Sequence, residues 1–267
     1  MPAILCPSCH KLISDDIPRC HHCGQFRPGM FGLASRFRKL GISLDFPHII
    51  TVICGALYLL CLALDPGAIL QPSGMMEILS PSGRASFDAG ATGGIPVGRY
   101  GRWWTVITAI YLHGNLLHIF FNMMWVRQLG PVVEELFGPF RLFVIFTVAG
   151  AVGFIASTMM GSPLTLGASG SIFGLLAAAI VYGRRVGSDM FTRQYLQWAL
   201  IMFVFGIIMP GIDNWAHGGG FIGGYAMAWL FSRTPNDREG LGAYVLAGVC
   251  ALLTVLAFAL QFLATIG

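Results

Sequence analysis

Seven long apolar segments make up most of this 267-residue chain. A transmembrane helix needs roughly 20 predominantly apolar residues, and segments of about that size lie at 48–64, 108–129, 139–160, 169–183, 195–211, 214–231 and 243–266. Only 10% of the residues are charged and 55% are hydrophobic, whereas soluble domains carry about 25% charged residues. The sequence therefore predicts an all-α polytopic membrane protein with seven spans. The net charge of +4 is too small and too dispersed to indicate a nucleic-acid partner.

The remaining sequence divides around these segments. Residues 1–29 are polar and rich in Cys, His and Pro, and residues 30–47 form a basic linker. A core of six spans occupies 48–231 and includes a long first loop, 65–107, rich in Gly, Pro and Ser. A second linker and the seventh span occupy 232–267. Some of the spans are short or interrupted by Gly, and we retain them because a buried central helix can be shorter than a lipid-facing one.

Lys and Arg are unequally distributed about the seven spans. If the N-terminus is cytoplasmic, all but three of the 16 Lys and Arg residues lie on the cytoplasmic side. The exceptions are Arg84, Arg99 and Arg102, in the first loop. Cytoplasmic loops carry an excess of Lys and Arg, so the distribution predicts a cytoplasmic N-terminus and an external C-terminus. From the length and the lack of a transit peptide we expect a bacterial inner (plasma) membrane.

Three groups of polar residues interrupt the apolar segments. Burying such a residue in a membrane is costly unless it is paired, so each group is a candidate functional site. They are His113, His118 and Asn122 in the second segment, Ser169 at the start of the fourth, and His217 one turn into the sixth. Each has a structural alternative: the serine could cap a helix, and the histidines and asparagine could join helices or bind a metal.

Glycines accompany both Ser169 and His217. They are Gly170 and Gly174 in the fourth segment, and Gly219, Gly220, Gly223 and Gly224 in the sixth. Small residues at spacings of four let membrane helices approach closely. If these two faces meet, the hydroxyl and the imidazole come within hydrogen-bond reach, as an activated serine requires. A nucleophile, a base and oxyanion donors on one side of the membrane would satisfy the chemistry of peptide hydrolysis.

At these positions the chain resembles the rhomboid family of intramembrane serine proteases, over about residues 48–231. The family pattern Gly-x-Ser-Gly is present as Gly167-Ala168-Ser169-Gly170, with Phe173 four residues after the serine. The pattern of Ala-His followed by glycines is present as Ala216-His217 with Gly220 and Gly224. Two histidines and an asparagine in the second span form the third pattern. Gly-x-Ser-Gly alone is weak evidence, whereas three patterns in this order and spacing are specific.

The resemblance implies a rhomboid-like bundle of six transmembrane helices plus one, and a serine endopeptidase that needs no cofactor for catalysis. Ser169 would be the nucleophile, and His217 would be the general base and later the general acid. The backbone N–H of the serine would join the oxyanion donors. The supporting residues that match the family are His118 and Asn122 as oxyanion donors, His113 in the loop above the site, Gly167, and Phe173 against the catalytic imidazole.

The resemblance also implies that the partners are single-pass or polytopic membrane protein substrates in the lipid bilayer. A substrate helix must unwind locally before cleavage, because its backbone is hydrogen-bonded to itself in lipid. The family usually carries Trp-Arg in the first loop, where this chain has Trp104-Thr105. That departure leaves the internal bonding of the loop open. The family uses a dyad, so Asp213, one turn before the histidine, is not assigned to a triad.

Four cysteines form two pairs near the N-terminus, Cys6-x2-Cys9 and Cys20-x2-Cys23. Four thiolates suit tetrahedral zinc, and so short a segment needs a metal in order to fold. A cytoplasmic location would also disfavour disulfides. The sequence therefore predicts a zinc-ribbon-like module with a structural zinc. Alternative ligands are His10, His21 and His22.

Three other functions remain as alternatives. A catalytically silent rhomboid-like protein would bind membrane clients, but such relatives lack the serine or the histidine. A polytopic transporter would show an internal repeat or polar groups at the midplane, and neither is evident. A metalloprotease using His113 and His118 would need the HExxH spacing, which this segment does not have.

Overall fold

The computed structural model describes residues 3–6, 9, 11–14, 17, 19–22, 45–69, 79–233 and 239–266. The main body of the described chain is a bundle of long helices, which we number α1 to α7. They are α1 Phe46–Leu64, α2 Leu116–Phe137, α3 Pro139–Met159, α4 Ser169–Arg185, α5 Asp189–Ile208, α6 Asn214–Ser232 and α7 Leu241–Ile266. We call the end of the bundle that carries Ser169 the site end.

Four of these helices, α1, α3, α5 and α7, are long and apolar enough to cross a membrane. A fifth candidate is a broken span in which Thr105–Tyr111 meets α2 at an angle of 89°. The helix α4 has only 17 residues, of which 13 are buried. A helix buried inside a bundle does not contact the lipid core along its full length, which is why α4 can be this short. The chain is an integral, multi-pass membrane protein.

The sequence defined two of the helices wrongly. The second predicted span, 108–129, is shifted: residues 109–115 lie in a short turn and a loop, and α2 continues past Pro131 to Phe137. The apolar residues Ile110 and Leu112 are buried in protein, and sequence alone does not distinguish that environment from lipid. The fifth span begins at residue 189 rather than 195, because Ser188 caps its N-terminus.

Helices α3, α4 and α6 form the centre of the bundle. A Cβ added at Gly220 or Gly224 of α6 would lie closer than 3.0 Å to backbone atoms of Gly170 or Gly174 of α4. The glycine faces of the fourth and sixth spans therefore meet, as the sequence predicts. On its other side, α6 packs its Gly219 against Ala156 and Gly153 of α3 at similarly close range.

The long first loop contains several short helices. They are Pro66–Ile69, Gly83–Ala89, a π-helix at Gly94–Arg99, Thr105–Thr108 and a 3-10 turn at Ala109–Tyr111. Thr92 pairs with Thr165 in an isolated antiparallel bridge, which ties this loop to the segment before α4. At the position where the family usually has Arg, the Thr105 hydroxyl donates to the carbonyl of Arg102 at 2.6 Å and lies 3.0 Å from the Thr92 hydroxyl. Threonine thus joins two parts of the loop.

The N-terminal module contains a two-stranded antiparallel hairpin. Strand β1, Ala3–Leu5, pairs with strand β2, Leu12–Ser14, in a register that puts Ile4 opposite Ile13. Both of these isoleucines are buried, against the buried Cys6 and Cys20. Among the described residues this buried cluster is small, and the requirement for a metal stays a prediction.

Candidate active site

Ser169 is the first residue of α4 and follows a sharp change of backbone direction at Gly167. Gly167 has φ +129°, which is unfavourable for residues with a side chain. A Cβ there would lie 2.7 Å from the His118 ring. This glycine therefore allows the chain to turn into α4 while the imidazole packs against its backbone. Ser169 is partly exposed and begins a helix whose first N–H groups have no intrahelical acceptor.

His217 lies in the first turn of α6, and its ring nitrogen Nε2 is 2.9 Å from the Ser169 Oγ. The two residues come from helices that touch through their glycines, so the hydrogen bond joins α4 to α6 at the site end. The His217 side chain is only 6% exposed. The ring lies almost parallel to that of Phe173, with centroids 4.4 Å apart and planes 17° apart. Phe173 therefore fixes the plane of the imidazole.

The second ring nitrogen of His217, Nδ1, lies 3.1 Å from the Asn214 side-chain oxygen. An amide oxygen only accepts, so this contact requires the proton on Nδ1 and leaves Nε2 as an acceptor for the serine hydroxyl. Gly206 of α5 makes room for the amide, because a Cβ at this position would overlap the Asn214 side chain. Sequence reasoning missed Asn214, although a spacing of three residues on one helix indicates a shared face.

Asp213 has a structural role. Its side chain accepts from the Ala216 N–H at 3.0 Å as the N-cap of α6, and it also accepts from the Ser157 hydroxyl. The imidazole of His217 is bonded to the neighbouring asparagine instead. The interpretation that Asp213 is not a third catalytic residue stays a prediction.

The polar group of α2 lies beside the serine segment. His118 packs against Gly167, two residues before Ser169, and its Nδ1 accepts weakly from the Gly114 N–H at 3.4 Å. The Asn122 amide donates to the carbonyl of His118 one turn earlier, at 2.8 Å. His113 is 1% exposed and packs edge-on to His118 with centroids 5.1 Å apart. His118 is thus in contact with both His113 and Asn122.

A second candidate site lies in the N-terminal module. The thiols of Cys6, Cys9 and Cys20 all lie within 4.8 Å of one another, and those of Cys9 and Cys20 are 3.7 Å apart. Tetrahedral zinc with Zn–S bonds of about 2.3 Å gives S···S edges of about 3.8 Å, so the donor set fits this metal. His21 is not part of the group. The predicted ligand Cys23 and the alternative His10 lie outside the described residues.

The arrangement around Ser169 can perform acyl transfer. A hydroxyl bonded to the acceptor nitrogen of an imidazole can lose its proton as it attacks a carbonyl carbon. The second imidazole nitrogen is held by an amide oxygen, so the tautomer is defined. The first N–H groups of α4 have no intrahelical acceptor, and the His118 ring packs against Gly167 two residues before Ser169.

Comparisons with known proteins show which sequences this chain is similar to. A family model described as the rhomboid domain matches residues 100–234. The chain is 36% identical over 132 residues to "Rhomboid protease GluP" of Bacillus subtilis, which covers 48% of this chain and 26% of that protein. It is 28% identical over 183 residues to "RHOMBOID-like protein 1" of Arabidopsis thaliana, covering 66% and 47%. It is 30% identical over 151 residues to "Rhomboid-type serine protease 2" of Emericella nidulans, covering 53% and 29%. The alignments therefore span a quarter to a half of these relatives.

Proposed function

This chain belongs to the rhomboid family, and on that basis we propose that it is an intramembrane serine endopeptidase that cleaves transmembrane segments of other membrane proteins. Ser169 and His217 are its catalytic dyad. The observation that supports these roles most strongly is the 2.9 Å contact between the serine oxygen and Nε2, with Nδ1 already bonded to Asn214. A serine with only a packing role would not need a hydrogen bond to a histidine whose tautomer is fixed by a second partner.

The reaction is proposed to run through an acyl-enzyme. The Ser169 oxygen attacks the carbonyl carbon of the scissile peptide while its proton passes to Nε2 of His217. The C–N bond then breaks, the imidazolium gives that proton to the leaving amine, and an ester remains on the serine. Water attacks the ester with the same imidazole as base, which releases the acid and restores the hydroxyl.

The oxyanion is proposed to bind to donors from α2 and α4. Asn122 uses one N–H for the carbonyl of His118, and an amide NH2 carries a second proton for another acceptor. The backbone N–H of Ser169 is one of the unpaired donors at the start of α4. The His118 ring supplies a third donor beside Gly167. His113 contacts that ring and supports its position.

The substrates are proposed to be single-pass or polytopic membrane proteins within the lipid bilayer. A transmembrane helix pairs its own backbone groups, so the segment to be cut must unwind before its carbonyl reaches Ser169. The unequal distribution of Lys and Arg supports a cytoplasmic N-terminus, which puts the site end on the external side. We infer a bacterial inner membrane as the location. The N-terminal module, the core and the seventh span are proposed as the functional divisions of the chain.

The test is labelling of the purified protein with a fluorophosphonate probe, together with cleavage of a reporter transmembrane substrate in proteoliposomes. We expect wild type to label and cleave, and Ser169→Ala and His217→Ala to do neither while remaining folded. Ser171→Ala is the matched control, because that hydroxyl donates to the Phe146 carbonyl at 2.7 Å and does not contact the imidazole. Folded wild type that neither labels nor cleaves would support a silent, client-binding relative instead.

We further infer that the N-terminal module holds a structural zinc through Cys6, Cys9 and Cys20, with Cys23 as the fourth ligand. The metal would stabilise the hairpin and take no part in catalysis. Elemental analysis of the full-length protein should give one zinc per chain, and Cys6→Ser with Cys20→Ser should abolish it. Wild type without stoichiometric metal would contradict this assignment.

A further inference from the structure

The last two turns of α7 are joined to the first loop by one buried amide. Gln261 is 2% exposed, and its side-chain oxygen accepts from the indole N–H of Trp104 at 2.9 Å. Its side-chain nitrogen donates to the carbonyls of Phe87 and Asp88 at 3.1 and 3.0 Å. Polar side chains are rare in membrane helices and mark functional positions. Packing of an apolar helix does not require an amide with three partners.

The hydrogen bonds between α7 and the first loop supply donors to carbonyl groups at the ends of two helices. The carbonyls of Phe87 and Asp88 lie at the end of the helix Gly83–Ala89, where the last carbonyls of a helix need partners from outside it. The Phe87 carbonyl also accepts from the Gly90 N–H at 3.1 Å. In the opposite direction, the Arg102 guanidinium donates to the Ala264 carbonyl in the last turn of α7 at 3.0 Å. It also lies 4.7 Å over the Phe87 ring. We call this set the α7 clasp; its members are Phe87, Asp88, Arg102, Trp104, Gln261 and Ala264.

The clasped loop is bonded in turn to the segment that leads into Ser169. The backbones of Thr92 and Thr165 exchange hydrogen bonds of 2.9 and 2.7 Å, and the Gly94 N–H donates to the carbonyl of Ser162 at 2.8 Å. Residues 162–168 contain no helix and only this isolated bridge. Their position therefore depends on the first loop.

We propose that the α7 clasp is a positioning device for the catalytic serine, with Gln261 as its central positioning residue. This inference rests on the proposed function of Ser169. The seventh helix holds the first loop, the loop holds residues 162–168, and these residues hold the serine at hydrogen-bond distance from His217. A displacement of about 1 Å at a reacting atom can cost roughly 100-fold in rate, so distant contacts of this kind can control catalysis.

The test uses a double-mutant cycle. Gln261→Leu removes all three hydrogen bonds and puts an apolar side chain of similar size in place of the amide. Trp104→Phe removes the indole donor and keeps a smaller aromatic ring. Thr265→Val is the matched control, because its hydroxyl donates to the Phe262 carbonyl within α7 itself. If the clasp acts as a unit, the double variant loses no more than Gln261→Leu alone, since coupled positions are not additive.

Two readouts separate the clasp from the proposed activity. We expect Gln261→Leu to lower the rate constant of fluorophosphonate labelling by roughly tenfold and to speed amide hydrogen exchange at residues 86–95 and 162–168, while Thr265→Val matches wild type. Unchanged labelling in a folded Gln261→Leu variant, or exchange that does not reach 162–168, would overturn the inference. Failure of the protease assignment would appear differently, as wild type that does not label while the exchange difference persists.

Discussion

Replacing Gly220 by alanine should separate the helices that carry the proposed dyad. The added Cβ would lie 2.6 Å from the carbonyl carbon and 2.8 Å from the α-carbon of Gly170, where ordinary contacts begin at 3.4 Å. Both atoms belong to the backbone of α4 and cannot rotate away. The carbonyl oxygen of Gly170 is nearer still, so the helices must move apart by at least about 0.8 Å, which is the shortfall at the carbonyl carbon.

The magnitude follows from the positions of the two side chains. Ser169 and His217 lie one and three residues from these glycines, so most of the displacement reaches them. Their 2.9 Å contact would lengthen to about 3.7 Å, which is no longer a hydrogen bond. General-base catalysis contributes about 10²–10⁴-fold to a rate. We expect Gly220→Ala to lower kcat by at least about 100-fold.

The assay is the initial rate of reporter cleavage in proteoliposomes, with thermal unfolding to confirm that the variant is folded. Gly218 provides the control, since it lies two residues away on α6 and an added Cβ meets nothing within 4 Å. We expect Gly218→Ala to retain wild-type kcat. Full activity in Gly220→Ala, or an equal loss in Gly218→Ala, would refute the inference that close glycine contact sets the geometry of the dyad.

Three further predictions concern single residues. Asn214→Ala should lower kcat by roughly tenfold at unchanged KM, because it removes one hydrogen bond from the imidazole. Asn214→Asp keeps an acceptor at this position and should therefore retain most of the wild-type rate. Gly167→Ala should lower the free energy of unfolding in denaturant by roughly 1–3 kcal/mol or more, because alanine is strained at this positive φ and its Cβ clashes with His118. Gly161→Ala has φ +88° but open space around the added Cβ, so it should show only the cost of the backbone strain. Burial raises the pKa of the Glu239 carboxyl, so the folded state binds this proton more tightly than the unfolded chain does. The free energy of unfolding should therefore fall as the pH rises from about 4.3 toward the raised pKa. Melting curves across that range should show the decline in wild type and a shallower decline in Glu239→Gln.

Local sequence patterns were sufficient to predict most of the helices. The termini of α3 and α6 lie within one residue of the predicted spans, because apolar length and glycine spacing are properties of a single segment. The start of α2 could not be read in the same way. Residues 109–112 are as apolar as a membrane span but bury themselves against other helices, so hydropathy does not reveal the 89° bend.

The candidate site likewise has residues that the sequence identifies and contacts that only the structure shows. Ser169, His217 and Phe173 could be named from their motifs, because the chemistry of a hydroxyl, an imidazole and a ring belongs to the residue type. The partner of Nδ1 could not be chosen between Asp213 and Asn214. Both lie within one turn of the histidine, and only the cap at the start of α6 and the space above Gly206 decide which one faces the ring.

The sequence by itself determined that the chain is a membrane protein, where most of its helices lie, and which side chains can act as nucleophile and base. These follow from composition and from periodicities within one segment. The tertiary structure alone decided that Gln261 of α7 bonds to Trp104, 157 positions earlier in the chain, and that the first loop thereby reaches the segment before Ser169. The contact between Gln261 and Trp104 depends on how helices and loop pack, and unlike the glycine spacing of α4 and α6, no local pattern indicates it.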